Sequence, residues 1–139
     1  MNKPTPLHLR IAAWIAFAGW AGGIFYSSSL TGVEIAEFEI TLSDKALHFA
    51  AFAAGGILLA LALRWSVAWP DKAVAWFAIA ALVLYGAFDE AHQLFTPHRS
   101  GADPLDWLAD ALGAAAGVFL FTLIYARLSR AHPPASARA

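Results

Sequence analysis

The sequence has no cysteine. That excludes disulfides, thiolate metal sites and a cysteine nucleophile, and it leaves the redox compartment without a marker. Charge is scarce as well: only 14% of the 139 residues are Asp, Glu, Lys or Arg, against about 25% in a typical soluble domain. With a net formal charge of −1 there is no basic excess to hold nucleic acid. Internal repeats are lacking too. What remains is mostly hydrocarbon, 60% hydrophobic with a mean hydropathy of +0.59, which is the composition of a small integral membrane protein.

Along the chain, four apolar runs are long enough to cross a bilayer core of about 30 Å as helices. They are expected at about 9–27, 45–64, 73–94 and 104–126, forming one domain over 1–126. Thr5-Pro6 can start the first run. A cleaved signal peptide ending near Ser27 or Ser29 is the competing reading, but Trp14, Trp20 and Tyr26 are bulky for a signal core and favour a retained helix. The stretch 30–42 mixes Glu34, Glu37 and Glu39 with Val33, Ile35, Phe38 and Ile40. It is too short to span and is left open between strand and helix. Ser43 offers an N-cap to the second helix, which Arg64, Trp65 and Trp69 close at the water boundary. Pro70-Asp71-Lys72 reads as a turn, and Thr96 to Gly101 breaks the third helix. Asp103-Pro104 supplies a cap with proline at the first helical position of the fourth. The basic tail, 127–139, is expected to be disordered. The expected fold is therefore an all-α membrane protein of four antiparallel transmembrane helices in one bundle, consecutive helices being neighbours because their connections are short.

Seven of the nine Lys and Arg residues sit at the N-terminus (Lys3, Arg10), the second connection (Arg64, Lys72) and the tail (Arg127, Arg130, Arg138). By the positive-inside rule both termini are expected in the cytoplasm. Every acidic residue except Asp71 then falls on the outer half, so the polar clusters face out of the cytoplasm.

Periodicity indicates which polar groups share a face. At about 100° per residue, Asp44, Lys45, His48 and Phe52 fall on one side of the second helix, and Asp89, His92 and Gln93 on one side of the third. Glu90 is displaced from Asp89, toward the interface or a neighbouring helix. On the fourth helix Asp106, Asp110, Gly113 and Gly117 form a narrow stripe. Gly113-Ala-Ala-Ala-Gly117 lets another backbone approach closely, so the carboxylates on the same stripe point into the bundle. Gly86 and the Gly55-Gly56 pair support the same packing. The expected product is a polar pocket near the outer surface, lined by the second, third and fourth helices and covered by the third connection.

Three blocks in order, Asp44-Lys45-x-x-His48-Phe49, then Asp89-Glu90-x-x-Gln93 with Arg99-Ser100-Gly101, then Asp106-x-x-x-Asp110-x-x-Gly113-x-x-x-Gly117, resemble the VanZ-like family of small bacterial membrane proteins. The resemblance covers roughly 27–117. It implies a multi-pass protein of the bacterial cytoplasmic membrane whose founding relatives are associated with resistance to glycopeptide antibiotics of the teicoplanin type. Asp110 departs from the pattern, where asparagine is expected.

Three functional readings follow. In the first, the outer pocket binds the head group of an envelope lipid, a lipid-linked cell-wall intermediate or an amphiphilic antibiotic. Lys45 and Arg99 meet its phosphate or carboxylate, with Gln93 and Asp106 in the binding set. In the second, the protein is a membrane-embedded enzyme. His48 or Asp89 serves as general base, Asp106 and Asp110 hold a divalent cation and Arg99 stabilises developing charge; carboxylates with one histidine suit Mg²⁺ or Mn²⁺ better than tetrahedral zinc. In the third, Lys45 and Arg99 pair with buried acids, each with Asp89 or Asp106, and only fix helix register. Homo-oligomerisation is compatible with each reading, and alternating-access transport would require it.

Overall fold

The computed structural model describes residues 5–36 and 43–131. Among these there are five helices and no strand: α1 (Leu7–Ser29), α2 (Gly32–Ala36), α3 (Asp44–Ser66), α4 (Asp71–Gln93) and α5 (Pro104–Ala131). All but α2 are long and apolar enough to cross a membrane. The outer faces agree with a lipid surrounding. Trp76, Leu84, Phe119 and Leu7 each expose about 70% of their surface, a density of bare apolar side chains that water would not tolerate on a monomer.

The helix ends follow local chemistry. Ser43 caps α3, its hydroxyl accepting from the Ala46 N–H at 3.3 Å. α4 begins at Asp71 rather than Ala73, so the expected turn is partly helix: Pro70 takes the cap position, and Asp71 in the first turn suits the positive end of the helix dipole and pairs with Arg64 at 3.2 Å. α5 runs on to Ala131 instead of stopping near Ala126, because Arg127, Leu128 and Arg130 are good helix formers and no breaker stands before Pro133. The expectation of disorder therefore fails for 127–131, and its remainder lies outside the described residues. At 28 residues α5 is about 42 Å long, more than the bilayer core. In the 30–42 stretch, α2 resolves the open choice in favour of helix for Gly32–Ala36; Glu37, Glu39, Phe38 and Ile40 lie outside the described residues.

The C-terminal ends of α1 and α4 meet the N-terminal ends of α3 and α5, so the four long helices alternate in direction and α3 runs parallel to α5. The closest pairing joins these two, which are not consecutive. The glycine stripe explains why. A Cβ on Gly113 would strike the Phe49 carbonyl, and one on Gly117 the Ala53 carbonyl; backbone therefore rests on backbone, as small-residue stripes permit in membranes. Gly56 answers from α3, facing the Ala114 carbonyl. Below this contact Phe52, Leu59, Leu63, Val74, Ala78, Leu82, Ala114 and Val118 form the apolar core. α1 packs on α3 and α4 but not, among the described residues, on α5. Its anchor is Trp20, whose ring fills the space left by Gly55 and whose Nε1 donates to the Ala51 carbonyl at 2.9 Å. Tyr85 adds a 2.6 Å bond to the Ala21 carbonyl.

Candidate functional site

The polar groups collect at the end of the bundle where α1 and α4 finish and α3 and α5 begin. There α4 gives way to the segment 94–103, which folds back on its own helix. Gly101 lies so close to Gln93 and Leu94 that a side chain would not fit, the Ala102 N–H donates to the Glu90 carbonyl at 3.1 Å, and His98 and Ala102 take positive φ values of 60° and 63°. That conformation costs a non-glycine residue about 1–2 kcal/mol, so the surrounding contacts must hold the turn. The Gly32 N–H binds the Pro97 carbonyl at 3.2 Å, which seats the start of α2 against the same turn.

Within this frame the side chains form two linked groups. The first surrounds Asp89, buried to 2% exposure. The Ser28 hydroxyl donates to its Oδ1 at 2.6 Å and the Gln93 amide to its Oδ2 at 3.0 Å; Thr96 closes the cluster by donating to the Ser28 carbonyl at 3.0 Å. Asp89 and Gln93 are one turn apart on α4, as their shared face requires. Sequence reasoning missed Ser28, which lies 61 residues from Asp89 and carries no motif that announces the contact.

The second group lies between α3, α4 and α5. Lys45 donates to Asp106 Oδ1 at 2.8 Å and to Asp103 Oδ2 at 3.1 Å, taking Asp106 and not Asp89 of its two expected partners. Asp103 is also the N-cap of α5, its Oδ1 accepting from the Leu105 N–H at 2.8 Å. That backbone donor and the Lys45 ammonium hold the Asp103 carboxyl below the usual carboxylate range. His48 Nδ1 lies 2.9 Å from Asp110 Oδ1, and Asp110 is fully buried. Gly86 makes room for it, since a Cβ there would sit 2.8 Å from Asp110 Oδ2. Glu90, displaced from Asp89 as the helix period requires, turns toward α5 and is buried there; its Oε2 accepts from the Asp103 N–H at 2.8 Å. Glu90 thus ties α4 to the start of α5, a role that its position one residue off the main face concealed.

Beside these groups opens a cavity of about 170 Å³ lined by Ile24, Ser27, Ser28, Ile35, Asp44, Leu47, His48, Ala51, Phe52, Asp89, Gln93 and Arg99. α1, α2, α3, α4 and the 94–103 turn supply its walls. The expected lining is therefore corrected: α5 contributes no wall residue, because its acids are turned to Lys45, His48 and the helix interface. Of the candidate residues, His48, Asp89, Gln93 and Arg99 line the cavity, whereas Lys45, Asp106 and Asp110 do not, and Gly113 and Gly117 serve packing. Arg99 forms no ion pair among the described residues. For a metal, two sets of three ligand atoms among the described residues lie within 4.8 Å of one another, Asp44 with His48 and Asp106, and His48 with Glu90 and Asp110. Asp106 and Asp110 fall into different sets, each completed by His48.

The VanZ/LLP1 family model matches residues 3–125, nearly the whole chain. The chain belongs to the VanZ/LLP1 family. No curated protein and no solved structure matches it. The family match takes in every residue of both polar groups and the cavity wall. In this VanZ/LLP1 protein the three motif blocks are thus the three helix ends that meet: Asp44 to Phe49 opens α3, Asp89 to Gln93 closes α4, and Asp106 to Gly117 is the inward stripe of α5.

Proposed function

We propose that this VanZ/LLP1 protein binds the phosphorylated or carboxylated head group of an envelope lipid, a lipid-linked cell-wall intermediate or an amphiphilic antibiotic. It would do so at the outer face of the bacterial cytoplasmic membrane, with both termini inside. The distribution of Lys and Arg supports that orientation. The observation that carries the reading is Arg99. It is a half-buried guanidinium at a cavity that Ile24, Ile35, Leu47 and Phe52 also line, and it is the cation that the acids of the second group leave uncommitted among the described residues. Its planar fork matches a phosphate or carboxylate, while the apolar wall suits the first carbons of a lipid tail. Lys45, committed to Asp103 and Asp106, supports the frame rather than the ligand. Capture of such head groups is a route by which the protein would contribute to tolerance of teicoplanin-type glycopeptides.

The test is binding of a fluorescent polyprenyl phosphate to the purified full chain in nanodiscs. Arg99→Ala is expected to weaken it about 10–100-fold, the value of a charge-assisted hydrogen-bond pair of about 1.5–3 kcal/mol, with helicity unchanged. Equal affinity in wild type and Arg99→Ala would remove the proposal.

A second reading is favoured by the His48–Asp110 bond. His48 lines the cavity and its Nδ1 is held by a buried carboxylate, so the ring's other nitrogen would be the general base acting on a lipid-linked substrate. Turnover of that phosphate ester by wild type, lost in His48→Gln while binding persists, would select this reading over capture alone.

A further inference from the structure

Among the described residues, four carboxylates are buried at the polar end, and their partners are unequal. Asp89 has Ser28 and Gln93, and Asp106 has Lys45. The other two are half satisfied. Asp110 uses Oδ1 for His48 and Glu90 uses Oε2 for the Asp103 N–H, while Asp110 Oδ2 and Glu90 Oε1 are buried without a hydrogen bond among the described residues. Asp110 Oδ2 faces Gly86 of α4, one turn before Glu90, so its bare oxygen is turned toward the helix from which Glu90 comes. A buried anionic oxygen without a donor is costly, and native structures seldom keep one. Two of them, on residues that each bring a carboxylate oxygen within 4.8 Å of one imidazole nitrogen, call for a positive ligand.

We propose that His48, Glu90 and Asp110 bind one divalent transition-metal cation between α3, α4 and α5, directly behind the wall of the head-group cavity. Their ligand atoms already lie within 4.8 Å of one another. Ligands at roughly 2.0–2.2 Å from a common ion are separated by about 3–4.3 Å, so an inward shift of a few tenths of an ångström completes the set. One imidazole nitrogen and two carboxylates suit Mn²⁺ or Fe²⁺ rather than an all-oxygen calcium site or a tetrahedral zinc site. The neighbouring set of Asp44, His48 and Asp106 is the weaker competitor. Its Asp106 oxygen is occupied by Lys45 at 2.8 Å, and the Asp44 side chain is 64% exposed. In the expected pair of Asp106 and Asp110, only Asp110 keeps a fully buried oxygen without a hydrogen bond among the described residues. The site stands independently of the lipid reading, since a chain that binds metal and no head group would retain it.

The experiment is Mn²⁺ binding to the full chain in phosphatidylcholine nanodiscs, a neutral lipid that does not itself gather the ion, followed by calorimetry and electron paramagnetic resonance. Wild type is expected to take one Mn²⁺ per chain with hyperfine coupling to an imidazole nitrogen. Glu90→Gln and Asp110→Asn should each weaken binding about tenfold or more, whereas Asp44→Asn and Asp89→Asn should leave it within about twofold. If Asp110→Asn does not fold, Glu90→Gln and loss of the nitrogen coupling in His48→Gln decide the matter. Absence of stoichiometric Mn²⁺ on wild type would overturn the proposal, as would full retention in a folded Glu90→Gln variant, or loss in Asp44→Asn with retention in Glu90→Gln. The first result would mean that the bare oxygens share a proton instead.

Discussion

At the residue scale, the buried acids differ in what their neighbours do for them, and this makes single substitutions informative. Ser28→Ala removes the donor to Asp89 Oδ1 and leaves a buried carboxylate oxygen unserved. The expected loss is about 1–3 kcal/mol, read from thermal unfolding in detergent. Arg99→Ala, by contrast, breaks no ion pair among the described residues and should leave the midpoint unchanged. Periodicity located Asp106 and Asp110 correctly on an inward stripe because a helix in lipid must turn charge away from hydrocarbon. It could not give the partner of Arg99, expected to be Asp89 or Asp106, since the choice between cations depends on reach. Lys45 starts α3 next to the first turn of α5 and reaches Asp103 and Asp106, whereas Arg99, which follows the left-handed turn at His98, pairs with neither expected acid among the described residues.

Among the elements, α3 and α5 are fastened by contact and α1 by a few anchors. Gly117→Val is expected to force the two backbones apart against the Ala53 carbonyl, costing about 1–3 kcal/mol or more as overpacking. Gly22→Ala meets nothing within 4 Å on α1 and should be neutral or stabilising by up to about 1 kcal/mol through helix propensity; the two variants compared in one unfolding series check both. The start of α5 has its own pH signature. Because the Asp103 carboxyl is held below its ordinary range, its contribution is present above the unfolded value of about 3.9 and is lost as pH falls through the lowered folded value. Asp103→Asn keeps a cap acceptor but not the charge, so its stability should fall less than wild type between pH 5 and pH 3. Helix number and capping residues were legible because Ser43, Asp103-Pro104 and the apolar run lengths act locally. The pairing of α3 with α5 could be read only in part, since a glycine stripe announces that some backbone comes near without saying whose.

For the whole molecule, the absence of cysteine makes the proposed orientation open to direct measurement. Ser100 and Ser129 are exposed at opposite ends of the bundle. Ser100→Cys should react with a membrane-impermeant maleimide added to intact cells, and Ser129→Cys only after the cells are opened; the reverse pattern would place the head-group cavity in the cytoplasm. The ends also differ in how their crossings are secured. Residues 94–103 are pinned to α4 and α2 through Gly101, Glu90 and Gly32, whereas in 67–70 the backbone bonds among the described residues serve only the adjoining helix caps. A purification handle or fluorescent reporter spliced between Ala68 and Trp69 would accordingly leave the chain able to assemble, while the same graft at Ser100 would pull apart the turn that carries Arg99 to the cavity.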